Sequence, residues 1–317
     1  MWFVHLTLGE LKKLFCQRRH LLYLLILTSL ILIVGVIMSS MLHVTEDLNW
    51  REHLIQEFIE EQEKPQMEVQ GLYYSPDVKY KEYYLEHDLN PYYWNAWRFV
   101  SSVTTNGLDI FISLFAILVA CSMVSKEFSW GTMKVLAVRP FKRWKILISK
   151  YIATLIYTVL LMGVYAVMSY LIGGFLFDFG GHDYALVRKD LSGSFYEIAV
   201  IQSALEVLVL RFLPIFVLVT IAFMLSTIVR NQAIALGISI FTLFGGSILG
   251  GAPFLAKYSW YKLTLFPHLN LVAYINADAG VALQDIPILF SVIALLVYLL
   301  LLLSISILAF TRQDIKA

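Results

Sequence analysis

The sequence has little charge and few cysteines for its length. Of 317 residues only 15% are charged, 59% are hydrophobic and two are cysteine, Cys16 and Cys121. Soluble domains lie nearer half apolar and a quarter charged, so the composition excludes an ordinary globular enzyme with more than one small soluble lobe. Two cysteines give no disulfide framework. The net charge of +1 offers no basic face for nucleic acid. There is no G-x-x-x-x-G-K-[ST] nucleotide-binding loop, no H-E-x-x-H, no G-x-S-x-G and no Cys/His cluster at metal spacing. The seven histidines (His5, His20, His43, His53, His87, His182, His268) are scattered outside the apolar runs and are read as solvated or interfacial. No catalytic residue, cofactor or metal is therefore expected in this chain.

What is present is a series of apolar runs, with a mean hydropathy of +0.72. Several exceed the roughly 18–20 residues needed to cross a bilayer. The spans are expected at Leu21–Leu42, Gly107–Val124, Ile146–Phe177, Ala204–Val229, Ala233–Phe254 and Pro287–Phe310. The expected fold is an all-α integral membrane protein of six transmembrane helices, with residues 1–317 forming a single transmembrane domain. Residues 2–19 read as an amphipathic interfacial helix, with Phe3, Leu6, Leu11, Leu14 and Phe15 on one face. The first apolar run is too long for a signal peptide's h-region, and no A-x-A-like site follows it.

Charge sets the threading. Residues 43–106 hold twelve acidic and five basic residues and are expected outside as an insertion between the first two spans. The insertion is helical over Thr45–Glu63, broken at Lys64-Pro65, and then rich in tyrosine and tryptophan. Those aromatics fit either the wall of an external vestibule or an interfacial belt with the core of a small lobe. Residues 178–204 are again acidic. Residues 257–286, broken by Pro267, read as two short interfacial or re-entrant helices. Both termini are expected in the cytoplasm, in a bacterial inner membrane.

Small residues recur along the fifth span (Ala233, Gly237, Gly245, Gly246, Gly250, Gly251). They mark a helix-packing face, expected to meet the first span of a partner subunit. Asp109, Glu206 and Arg211 are the ionisable groups read within spans, and such groups are candidates for a substrate pathway. Arg211 lies 19 residues before Arg230, about 28 Å along a helix, so it reaches the outer interface. A direct Glu206–Arg211 pair is not expected, because five residues turn a helix by about 140°. Tyr157 and Tyr165 on the third span are candidate pore-facing residues.

The most patterned segment is Ser125–Lys150, SKEFSWGTMKVLAVRPFKRWKILISK. Its apolar residues return at helical spacing from Phe128 through Trp130, Met133 and Leu136, Thr132 offers a cap, and Pro140 stops the helix. Lys126, Lys134, Arg139, Lys142, Arg143, Lys145 and Lys150 stand against the single acid Glu127.

The order E-x3-G-T-x7-P-x2-R-x6-K (Glu127, Gly131-Thr132, Pro140, Arg143, Lys150) resembles the ABC-2-type permease subunits of ATP-binding-cassette exporters. The six-span layout and the tail Phe310-x-Arg312-x-Asp314 are similar too. The resemblance implies two permease subunits, identical or related, each docked on a separate ATPase that holds ATP and Mg. It makes Glu127, Phe128, Trp130, Gly131, Thr132, Lys134, Arg139, Pro140 and Arg143 the coupling segment. Arg139, Lys142 and Arg143 serve equally as anchors for lipid phosphates. The implied function is export of a hydrophobic or amphiphilic substrate: a peptide antibiotic, a lipid or a drug. A non-transporting sensor or immunity subunit, and a membrane enzyme acting on a lipid-linked substrate, are the alternatives.

Overall fold

The computed structural model of the chain describes residues 2–42, 50–63, 68–69, 72–73, 78–129, 142–189, 194–229, 231–275 and 286–312. The elements run α1 (Trp2–Phe15), α2 (Arg18–Leu42), α3 (Trp50–Glu63), β1 (Glu68–Val69), β2 (Leu72–Tyr73), α4 (Val78–Glu86), α5 (Ala96–Thr105) and α6 (Ile110–Ser129). They continue with α7 (Arg143–Leu176), β3 (Ala185–Lys189), β4 (Phe195–Ala199), α8 (Val200–Val229), α9 (Gln232–Gly250), α10 (Pro253–Ala256) and α11 (Ile288–Arg312). Six of these, α2, α6, α7, α8, α9 and α11, are long and apolar enough to cross a membrane. Glu10 of α1 meets Lys150 of α7, and Phe310 of α11 meets Phe128 of α6, at one end of the bundle, the termini end. The lobe of α3 to α5 sits at the other, the lobe end.

In a bilayer each backbone polar group must be satisfied within its own helix, and the spans begin and end where the sequence supplies substitutes. Asn231 caps α9, its side chain accepting from the amides of Ala233 (2.9 Å) and Ile234 (3.3 Å). Asn95 does the same for α5 through the amide of Arg98 (2.9 Å). It also donates to the carbonyls of Gly180 (3.2 Å) and Gly181 (2.8 Å), tying α5 to the segment after α7. Pro214 sits inside α8 and removes one rung of its ladder.

The second and fourth spans, α6 and α8, are the most buried, and α2, α9 and α11 are the least. Ala116, Val119 and Ala120 of α6 share a core with Val219, Ala222 and Phe223 of α8. Small side chains here let the backbones approach closely. Hydroxyls add bonds across the bundle. Ser226 Oγ donates to the carbonyl of Cys121 (2.7 Å) and accepts from the amide of Ser125 (3.0 Å). Tyr151 bonds Thr220 (2.9 Å) and Thr227 bonds Ser306 (2.9 Å). On the peripheral helices Leu21, Leu25, Ile33, Phe241, Ile248, Leu289 and Leu300 stay exposed, as apolar side chains facing acyl chains do.

Two expectations are amended. The all-α reading gives way to a helical bundle with two antiparallel hairpins, β1–β2 and β3–β4. In the second, Val187 faces Glu197 in register, and Val187 and Ile198 are buried. The segment before the last span holds 3₁₀ turns at Tyr261–Leu263, Phe266–Leu269 and Leu271–Tyr274 in place of two short α-helices. Two small residues of α9 meet this chain's own turns. A Cβ at Gly250 would lie 2.8 Å from the Phe266 carbonyl oxygen, and one at Gly246 would lie 3.1 Å from Leu269. Gly237 has open space instead.

Gly250→Val is expected to lower stability by about 1–3 kcal/mol through overpacking, while Gly237→Ala, in open space, does not lower it. Thermal unfolding of both variants in nanodiscs checks this; equal midpoints would refute the packing role given to Gly250.

Candidate functional site

At the termini end, three elements meet on one lysine. Lys150 lies two turns into α7, and its side chain is 0% exposed. Its ammonium donates to Glu127 Oε1 of α6 at 2.6 Å and to Glu10 Oε2 of α1 at 3.0 Å. Lys13, one turn beyond Glu10, donates to Glu10 Oε1 at 2.9 Å and stands 3.6 Å from Glu127. The two carboxylates are 12% and 15% exposed. Two acids and two bases make the group electrically neutral, which is how charge is kept at low dielectric. Burial works to raise the Glu10 pKa, but Lys150 and Lys13 outweigh it, and the carboxyl is held below its ordinary value. Burial likewise works against the Lys13 charge, yet Glu10 and Glu127 win and its pKa is raised.

Glu127 and Lys150 stand on the helix ends that flank residues 130–141. The candidate coupling residues Trp130, Gly131, Thr132, Lys134, Arg139 and Pro140 lie outside the described residues. Phe128 packs edge-on against Phe310, 6.4 Å between ring centres, which brings the end of the last span to the same place. Arg143 opens α7 and is exposed.

The other candidates lie elsewhere. Asp109 Oδ2 and Arg211 Nε are 3.4 Å apart at the lobe end, beside a cavity of about 500 Å³ that Pro214 and Asn270 also line. Glu206 pairs with Arg188 of β3 at 2.7 Å and not with Arg211. Tyr157 and Tyr165 are buried in this chain's own core. Tyr157 bonds His20 (2.9 Å) and Tyr165 bonds Thr104 (3.2 Å).

Sequence reasoning missed the company these residues keep. Lys150 was grouped with the basic segment, so its burial and its bond to Glu10 carried no local signal. His20 and His268, read as solvated or interfacial, are buried within the protein and so are not solvated. His20 follows Arg18 and Arg19, and their charge hid the helix start. His268 Nε2 faces the carbonyl of Lys262 at 3.0 Å and must donate to it. Its Nδ1 then accepts from Ser291 (2.7 Å), whose oxygen accepts in turn from Tyr274 (2.7 Å). That chain pins the 3₁₀ turns to α11. The one sequence clue was a polar trio in an apolar setting.

Lys150→Ala leaves two largely buried carboxylates with only the exposed Lys13 to offset them and is expected to cost about 3–5 kcal/mol. A Glu10→Gln, Glu127→Gln, Lys150→Met triple variant is expected to recover most of that. Unfolding midpoints in one detergent decide it, and a mild Lys150→Ala would refute the role given to the cluster. The lowered Glu10 pKa sets a pH window. Its contribution is full above the ordinary carboxylate value of 4.5 and is lost as pH falls below it. A maleimide dye on the exposed Cys16 is expected to report release of α1 as the pH falls below 4.5, and Glu10→Gln to abolish that transition.

Comparison with known proteins gives relatives over most of the chain. A family model described as a protein of unknown function (DUF2705) matches residues 69–316, a stretch that includes Glu127 and Lys150 but not Glu10. The uncharacterized protein YhcI of Bacillus subtilis (strain 168) is 31% identical over 246 residues, covering 76% of each chain. The uncharacterized membrane protein YdbK of the same organism is 26% identical over 214 residues, covering 67% of this chain and 81% of its own. With six apolar helices and these matches, the chain is a multi-pass membrane protein that belongs to the DUF2705 family.

Proposed function

We propose that this chain is the membrane-spanning subunit of an ATP-driven exporter, working with a second permease subunit, identical or related, and with two copies of a separate ATPase. The termini end faces the cytoplasm, where its basic residues belong. Residues 127–143 form the coupling segment that rests on the ATPase, with ATP and Mg held there and not in this chain. The observation that carries the reading is the Glu10–Lys150–Glu127 cluster. It clamps both helix ends beside that segment to each other and to α1, so a push on the segment moves α6, α7 and α1 together. A loop that only linked two spans would need no such mounting.

The substrate is a hydrophobic or amphiphilic molecule. The polar groups for its path are Asp109 and Arg211, beside the cavity between α6, α8 and α9, with Glu206 further out. Tyr157 and Tyr165 take no part in that path, because their rings fill the protomer's own core.

The test is purification from the native membrane. An ATPase with a P-loop is expected to accompany the wild type and to be lost or uncoupled in a Glu127→Ala, Gly131→Leu double variant. Mild extraction that brings down no ATPase overturns the reading. The cavity under the lobe favours ligand sensing as a second reading; ATP-dependent movement of substrate by the reconstituted complex separates the two.

A further inference from the structure

The lobe end holds a second cavity, of about 460 Å³, that the exporter reading does not use. Its size suits a small organic ligand. Helices α3, α4 and α5, strand β3 and the first half of α8 wall it. Three cations line it: Lys81, Arg98 and Arg188. Two of them are matched. Lys81 donates to Glu57 at 2.8 Å, and Arg188 pairs with Glu206 at 2.7 Å and also donates to Ser203 Oγ at 2.6 Å.

Arg98 is different. It is half-buried, and no carboxylate pairs with it among the described residues. Its guanidinium donates once, to the Tyr93 carbonyl at 2.5 Å, and lies 4.7 Å over the Trp94 ring. A guanidinium carries five N–H donors. Most of those on Arg98 have no acceptor in the described chain, and the residue borders the cavity. Glu57 is the one acid among the lining residues, and Lys81 already neutralises it. The cavity therefore carries one surplus positive charge, placed where a planar donor can grip an oxyanion.

The remaining walls suit an apolar body. Tyr80, Tyr84 and Tyr92 present rings, and Leu54, Val207 and Val272 close the apolar side. We propose that this cavity binds an anionic amphiphile, its carboxylate or phosphate head on Arg98 and its apolar body among the tyrosines. A phospholipid headgroup and a free phosphate ester share that chemistry. The proposal is independent of ATPase docking, since the cavity lies at the opposite end of the bundle from Glu127 and Lys150.

The test uses the full chain in phosphatidylcholine nanodiscs, with tryptophan emission reporting through Trp94. Hexyl phosphate is expected to give a saturable change, and hexyltrimethylammonium none. Inorganic phosphate is expected to bind at least tenfold more weakly than hexyl phosphate, for want of the apolar body. Arg98→Gln is expected to weaken hexyl phosphate at least tenfold. Should that variant fail to fold, Glu57→Gln decides: removing the lining acid is expected to tighten hexyl phosphate at least threefold. No saturation in the wild type, wild-type affinity in Arg98→Gln, or unchanged or weaker affinity in Glu57→Gln each overturns the proposal. With hexyl phosphate bound, phosphatidylglycerol that co-purifies with wild type and is lost from Arg98→Gln assigns the headgroup as the natural ligand. Equal lipid in both assigns a free solute.

Discussion

A buried ammonium needs anions, and the termini end of this molecule is arranged around supplying them to Lys150. One carboxylate comes from the end of α6 and another from α1, 140 residues away in sequence. Lys13 balances the second negative charge, so the cluster is neutral as a group. The two carboxylates on Lys150 come from different helices, and neither can leave without stranding a charge that the surroundings solvate poorly. Van der Waals packing alone would hold these helices with less directional preference, since lipid tails compete well for apolar side chains. The cluster therefore fixes where α1 docks and how far apart the ends of α6 and α7 stand.

The rest of the bundle follows the same economy of polar groups. Serine and threonine hydroxyls along the spans return their protons to carbonyls three or four residues earlier, as Thr154 does to Lys150 and Thr158 to Thr154. A few cross between helices instead and act as spot joints in α6, α7, α8 and α11. At the lobe end the polar load is heavier, and caps, a hairpin and ion pairs share it. Asn95 is the hinge of that arrangement, because it caps α5 and grips the turn after α7 with the same side chain.

Much of this was legible in the sequence, and what was not has a common cause. Hydropathy is a local quantity, so all six spans fall within a few residues of their expected bounds. Motif residues are local too, and Glu127 and Lys150 stood out as members of the motif that carries the family resemblance. Glu10, the second carboxylate on Lys150, did not, because it lay on what read as the polar face of a surface helix. Nothing along the chain marks which helix that face will meet. The same holds for Arg188 and Glu206. The hairpin β3–β4 left a weak trace, five residues a side with Val187 and Ile198 inward, too short to stand out between two long apolar runs. Tyr157 and Tyr165, read as candidate pore-facing residues, have hydroxyls that bond His20 and Thr104 inside the core of this chain, a pairing no local pattern announces.

One dimension has a mechanical consequence. Helix α7 is 34 residues long, about 51 Å of rod against a hydrocarbon layer of about 30 Å. Lys150 anchors it near one tip, and near the other Tyr170 packs at a tilt against Trp97 of α5. A rod held in a fluid sheet pivots near its middle. Rocking of about 10° would carry each tip some 4 Å in opposite directions, a simple product of half-length and angle. The helix is thus a lever whose load arm and effort arm are about equal, joining the face that carries Lys150 to the lobe that carries Arg98.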